Sequence, residues 1–292
     1  MLIVQRLADL WRKMSRDKGA VIGLCIIVLL ALVSIFAQVI SPHDPYKQDL
    51  RESLRPPAWL ETGTARFLLG TDMVGKDVLS NIIYGTRVSF VVGIGATIIA
   101  TLIGVTIGLL SGFYGGRFDS LCMRLTDMQL AVPPVLIALA VMTILGRGVL
   151  LLVLVIGFTN WAAYARTARG STLVIMKSEY VEAARALGAS DLTIILKHVL
   201  PNMLTPVIIL IAVQLPRVIM LESTLSFLGV GVPITTPSLG LMISRGFRVL
   251  FSGSWWVTVF PGLVLMLSVL GINLIGDWLR DVFDPKFRTT GG

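Results

Sequence analysis

Gly70-Thr71-Asp72-Met73-Val74-Gly75-Lys76-Asp77 has the glycine and lysine spacing of a phosphate-binding loop up to its last position. There the chemistry fails, because a Ser or Thr hydroxyl has to meet magnesium and Asp77 presents a negative charge instead. Hydrolytic chemistry is as poorly supplied. A membrane hydrolase needs a nucleophile with a base, or two histidines with a carboxylate, gathered in one place. The only histidines are His43 and His198, both expected in loops, and neither Gly-x-Ser-x-Gly nor His-Glu-x-x-His occurs. Cys25, in an apolar run, and Cys122, in a loop, suggest neither a disulfide nor a metal cluster. No catalytic residue and no metal site is therefore expected.

The stretch from Ser178 to Asn202 is a polar island between two long apolar runs. Ser178 is placed to cap a short helix with Glu179 and Glu182 near its positive end, and Gly188 supplies the permissive backbone that stops it. Ser190 and Asp191 start a second helix, and Pro201 marks re-entry into the next apolar segment. Ala183 and Ala184 let the first helix sit close against a partner surface. A helix-turn-helix hairpin of this kind cannot bury itself, so it reads as a docking element. Reading it as a DNA-binding helix-turn-helix conflicts with flanks of membrane length on both sides.

Those flanks agree with the composition. The 292 residues are 55% hydrophobic and only 14% charged, far from the quarter-charged make-up of a soluble domain. The net charge of +8 fits basic cytoplasmic segments of a membrane protein better than a nucleic-acid partner. Residues 1–19, with Arg6, Arg12, Lys13, Arg16 and Lys18 and apolar residues at helical spacing, read as an amphipathic cytoplasmic helix. The run 20–40 is about 31 Å long as a helix, enough to cross the bilayer and longer than the core of a signal peptide. A polar segment at 41–87 should lie outside. Further spans are expected at 88–111, at 126–145 with a bend at Pro133-Pro134, and at 149–164, ending in the interfacial pair Trp161 and Tyr164. The docking loop then occupies 165–200. A span over 201–222 follows, bent at Pro206 and Pro216, then an external segment 223–254, then a last span at 257–276 between Trp255-Trp256 and Trp278. The tail 277–292 returns to the cytoplasm. The expected fold is an all-α membrane protein of six spans with both termini inside.

Ionisable groups in spans are costly and become functional candidates by default. Asp127 and Glu222 sit near span ends, where water reaches them, and Arg217 lies deeper, facing a solute path or a partner. Asn160 and Gln214 offer hydrogen bonds to a passing solute or to neighbouring helices.

Glu182-Ala183-Ala184, three residues, Gly188, and then Leu200-Pro201 resembles the cytoplasmic coupling loop of bacterial ABC importer permeases, with His198, before Val199, standing where the general pattern has an aliphatic residue. Leu-Leu-Gly-Thr-Asp-Met-Val-Gly-Lys-Asp at 68–77, followed by Tyr84-Gly85-Thr86-Arg87, resembles the oligopeptide and dipeptide branch, with Lys76 where that branch usually has Arg. The Gly276-Asp277-Trp-Leu-Arg280-Asp281 tail matches it as well. The resemblance covers about 20–285 and implies a type I importer permease in the bacterial inner membrane. It implies a second homologous permease, two ATPase subunits that bind ATP and magnesium, and an extracytoplasmic solute-binding protein. Glu182, Ala183, Ala184 and Gly188 would dock the ATPase, and Asp127, Asn160, Gln214, Arg217 and Glu222 are candidates for the path. The implied solute is a peptide, with a nickel complex, glutathione or a sugar as alternatives inside the family and a membrane-embedded enzyme as the rival class.

Overall fold

Asp17 and Asp77 each turn the chain into a helix by the same means, a side-chain oxygen accepting a free amide of the first turn: Ala20 N at 3.1 Å and Ser80 N at 2.9 Å. The computed structural model describes residues 12–283. The expected N-terminal amphipathic helix and the tail therefore fall largely outside the described residues.

Helix α1 (Lys18–Ile35) continues after a kink as the one-turn helix Ala37–Ile40. A mostly irregular segment leads to α2 (Val78–Tyr114), then α3 (Gly116–Ala131), α4 (Pro134–Leu145) and α5 (Val149–Met176). The hairpin helix α6 (Glu179–Ala186) precedes α7 (Asp191–Phe227), α8 (Leu239–Phe247) and α9 (Trp256–Phe283). Five of these helices, α1, α2, α5, α7 and α9, are long and apolar enough to cross a membrane. A sixth crossing is available if α3 and α4, bent by 84° at their junction, count as one.

That bend is sharper than a proline kink inside one span. Pro133 and Pro134 offer no amide hydrogens, so α3 loses its continuation at Val132, and Pro134 sits where its fixed φ suits the first turn of a new helix. Asp77 starts α2 ten residues before the expected position 88, and α2 runs to Tyr114. Likewise α5 continues twelve residues past Tyr164, α7 starts at Asp191 and α9 reaches Phe283. The helices project beyond the apolar windows that reveal them. Cys122 and His198 consequently lie on helices and not in loops.

Two aromatic assignments change as well. Tyr164 and Trp256 are buried in protein instead of lying in a lipid-facing belt. Tyr164 packs on α2 at Gly104, where an added Cβ would stand 2.4 Å from the Trp161 carbonyl oxygen and 2.5 Å from the Tyr164 Cβ. Gly108 repeats the arrangement one turn on, 2.2 Å from the Ala165 carbonyl. This stripe lets α2 and α5 pack backbone to backbone, the close contact that small residues permit in lipid. Around it Val92, Ala96, Leu152, Ile156 and Val218 fill the middle of the bundle. The indole of Trp256 donates to the Thr71 carbonyl at 3.1 Å and so pins the segment before α2 to the start of α9.

The ends of the bundle differ. At one end Val78, Ile82, Leu239, Met242, Trp256 and Val257 join α2, α8 and α9. At the other, Leu109, Ala168, Val181, Ile194, Val199 and Met203 seat the hairpin on α2, α5 and α7. Val78 and Leu109 are separated by about 46 Å along α2, so the 70–77 loop and the hairpin occupy opposite ends.

Candidate functional site

The hairpin is built outward from one anchor. Val181 is the buried residue of α6, while Glu182 and Ala183 are exposed, Ala184 is half-buried, and Leu187 just beyond stands 88% exposed. Ser178 takes the extended backbone of a cap, but its hydroxyl donates to the Ile175 carbonyl at 2.5 Å and not to its own helix. Glu179 and Glu182 supply the negative charge of the first turn instead. Gly188 adopts φ +84°, and the amide of Ala189 reaches back to the Ala184 carbonyl. This left-handed turn closes α6 as glycine geometry allows. Ser190 then caps α7, its Oγ accepting Thr193 N at 3.4 Å.

Helix α7 does not stop at Pro201. It widens into a π-helical turn over Ile195–Val199, where the Leu200 amide bonds the Ile195 carbonyl five residues back. Pro201 has no N–H and would crowd a carbonyl four residues earlier in a regular helix, so the wider turn lets the chain pass without a break. The second hairpin helix is thus continuous with the span that follows.

A cleft of about 400 Å³ lies farther along, between the α3–α4 break, α5 and α7. Asn160, Gln214 and Arg217 line it together with Gln129, Thr159, Pro134 and Leu221. Asn160 Nδ2 donates to the Ile156 carbonyl at 2.8 Å, Gln129 Nε2 to the Thr159 carbonyl at 3.2 Å, and Arg217 to Gln214 Oε1 at 3.3 Å. Gln129 and Thr159 escaped sequence reasoning. The signal for Gln129 is a lone amide four residues before a proline pair, which has meaning only once the helix is known to break there.

Two candidates do not join this cleft. Asp127 is exposed and pairs with Arg166 at 2.5 Å, joining α3 to α5. Glu222, expected near water at a span end, is fully buried and accepts from four hydroxyls: Ser89 and Ser226 at 2.8 Å, Ser238 at 3.1 Å and Ser223 at 3.3 Å. It joins α2, α7 and the start of α8. A third carboxylate, Asp119, was not singled out from the sequence; it receives Arg169 through Nε at 2.5 Å and Nη2 at 2.6 Å, together with the Ser111 hydroxyl.

The phosphate-loop imitation resolves into a turn that fills itself. Asp72 Oδ1 accepts the amides of Val74 and Lys76, each at 2.9 Å, occupying the donors that a phosphate would need. Burial pushes the Asp72 carboxyl above its usual range, against the two amide bonds and the nearby positive charges of Arg245 and Lys76. Burial also lowers the Lys76 ammonium, with the Asp72 charge opposing. Lys76 is buried and Asp77 is spent on the α2 cap, so this loop is structural. Among the described residues no His, Cys, Asp and Glu cluster suited to a metal ion is present.

Comparison with known proteins agrees with this architecture. Residues 104–289 match the family described as "Binding-protein-dependent transport system inner membrane component", and 5–57 match the "N-terminal TM domain of oligopeptide transport permease C". The chain is 40% identical over 282 residues to the di/tripeptide transport system permease protein DppC of Pseudomonas aeruginosa, covering 97% of this chain and 93% of that one. It is 39% identical over 282 residues to the dipeptide transport system permease protein DppC of Escherichia coli, covering 97% and 94%. Among solved structures, the MetNI methionine ABC transporter in an inward-facing form superimposes with a TM-score of 0.56 at 17% identity, over 70% of this chain and 97% of that chain. That likeness places the fold with the permeases of type I ABC importers. The chain belongs to the family of inner membrane components of binding-protein-dependent transport systems.

Proposed function

We propose that this chain is one of two homologous permease subunits of an importer of short peptides, that the polar cleft forms half of the solute path, and that α6 is the element gripped by an ATPase subunit. The observation that carries the reading is the continuity of the exposed hairpin with α7, the helix that brings Gln214 and Arg217 to the cleft. A subunit closing on α6 moves α7 through the Gly188 turn and the apolar seat that Val181 shares with Ile194 and Val199, and the far part of α7 lines the path. Transport then alternates between two packings of the helices, biased by nucleotide on the ATPase pair, where ATP and magnesium reside. The hairpin end faces the cytoplasm in this reading, in accord with the basic residues before α1. The 70–77 loop and α8 then face a solute-binding protein. The peptide cargo is inferred from the names of these two relatives, each of which matches 97% of this chain.

The test is reconstitution of the full complex in proteoliposomes with its solute-binding protein. Uptake of labelled Ala-Ala should require both the binding protein and ATP. A complex that imports a nickel complex, glutathione or a sugar but no Ala-Ala would move the cargo elsewhere in the family.

A further inference from the structure

Arg217 holds a permanent charge inside a membrane span, about 15 Å from the end of α7 at Phe227. Among the described residues no carboxylate lies within ion-pair distance, and its hydrogen bond is the long one to Gln214. A guanidinium at that depth is costly unless an anion or water meets it in a cavity, and Arg217 lines one. The same cleft has an opposite pole. Helix α3 ends beside it, and Pro133 and Pro134 cannot supply the amides that the carbonyls of Gln129 and Leu130 would receive in a continuing helix. Both of those residues line the cleft. The unmet carbonyls of Gln129 and Leu130 are local acceptors for a cation, while the first turn of α4, which starts at Pro134 beside the same cleft, carries the opposite partial charge. Between the poles, the amide oxygens of Gln129 and Asn160 have no partner among the described residues, since both side chains use their NH₂ groups on backbone carbonyls.

We propose that the cleft binds its solute as a zwitterion, the terminal carboxylate on Arg217 and the terminal ammonium at the C-terminal end of α3, with Gln129 and Asn160 accepting amide hydrogens between them. The inference rests on the peptide reading above. It explains how one path serves varied side chains, because every short peptide carries the same two ends and the same backbone. The cleft volume of about 400 Å³ falls in the range of small-molecule sites.

The experiment measures Ala-Ala imported per ATP hydrolysed in proteoliposomes, at peptide concentrations that saturate the binding protein, for wild type, Arg217→Gln and Arg217→Lys. Arg217→Gln should lower the ratio at least tenfold, and Arg217→Lys, which keeps the charge, should restore most of it. Uptake of Ala-Ala amide, which lacks the carboxylate, should be at least tenfold below Ala-Ala in wild type and level with it in Arg217→Gln. If the binding protein refuses the amide, the comparison of Gln with Lys on Ala-Ala decides alone. An unchanged ratio in Arg217→Gln overturns the proposal. So does loss of the second permease from the purified complex, which would assign Arg217 to subunit pairing. Wild type that imports no Ala-Ala at all refutes the peptide reading instead, so the two failures are distinguishable.

Discussion

The Ser89 hydroxyl donates to Glu222 Oε2 at 2.8 Å across 133 residues of sequence, tying α2 to α7 inside the bundle. With Ser226 and Ser238 on the other carboxyl oxygen, this one side chain also fixes where α8 begins. Glu222 is therefore a structural hub and does not line the cleft between α5 and α7.

Removing the hub should cost more than replacing its carboxyl by an amide. Glu222→Ala leaves a cavity and four hydroxyls without their acceptor, and each buried polar group left unsatisfied costs about 1–3 kcal/mol. Glu222→Gln keeps one oxygen and the packing. Thermal unfolding of the purified complex should place Glu222→Ala several degrees below Glu222→Gln; equal midpoints would show that the hydroxyls do not depend on Glu222.

The α2–α5 seam predicts a sharp contrast between glycines. Gly108→Val drives a side chain into the Ala165 carbonyl, and overpacking of this kind costs about 1–3 kcal/mol or more. The amount of folded subunit in the membrane should fall several-fold. Gly170→Ala, on the same α5 helix but facing open space, should leave it unchanged or slightly raised. Normal levels of Gly108→Val would mean that the two helices are not in backbone contact.

Acidity should tighten the 70–77 loop. Asp72 holds its proton better when folded than at its ordinary value of 3.8, so its contribution to stability is complete below that value and is lost as pH rises through the raised one. Asp72→Asn retains an oxygen for the amides of Val74 and Lys76 and has no titration. Hydrogen exchange across 70–77 should show the Asn variant gaining protection relative to wild type as pH climbs from about 4 to 7. A difference that does not vary with pH would contradict the assigned burial.

Much of this was legible in residues whose chemistry is local. Gly188 at a helix end announced its positive φ, Pro133-Pro134 announced a bend, and the polar island announced a hairpin. What stayed hidden depends on neighbours distant in sequence. An apolar run has the same composition whether it faces lipid or protein, so Tyr164 and Trp256 were placed in a lipid belt when they pack against α2 and the 70–77 loop. Glu222 looked like a residue near water because the hydroxyl of Ser89 could not be placed beside it. Of the residues grouped for the path, Asn160, Gln214 and Arg217 meet because α5 and α7 face each other across one cleft, whereas Asp127 is exposed beside Arg166 and does not line it. Helix ends were missed for another reason: Asp77 caps α2 among polar residues that dilute any hydropathy window.

The most direct measurement of the central claim is Ala-Ala uptake in proteoliposomes, read beside the ATPase-to-permease ratio of the purified complex, for Glu182→Lys, Ala183→Trp and Gly188→Val. The first two alter the exposed face of α6, and the third puts a β-branched residue at φ +84°, a conformation that it strongly resists. None of the three touches the bundle, so insertion and, in the proposed assembly, pairing with a second permease should persist. If α6 couples the ATPase to α7, uptake should fall at least tenfold in each variant, with ATPase subunits lost from the complex or hydrolysing ATP without moving peptide. Wild-type uptake together with a wild-type subunit ratio in all three would contradict the account.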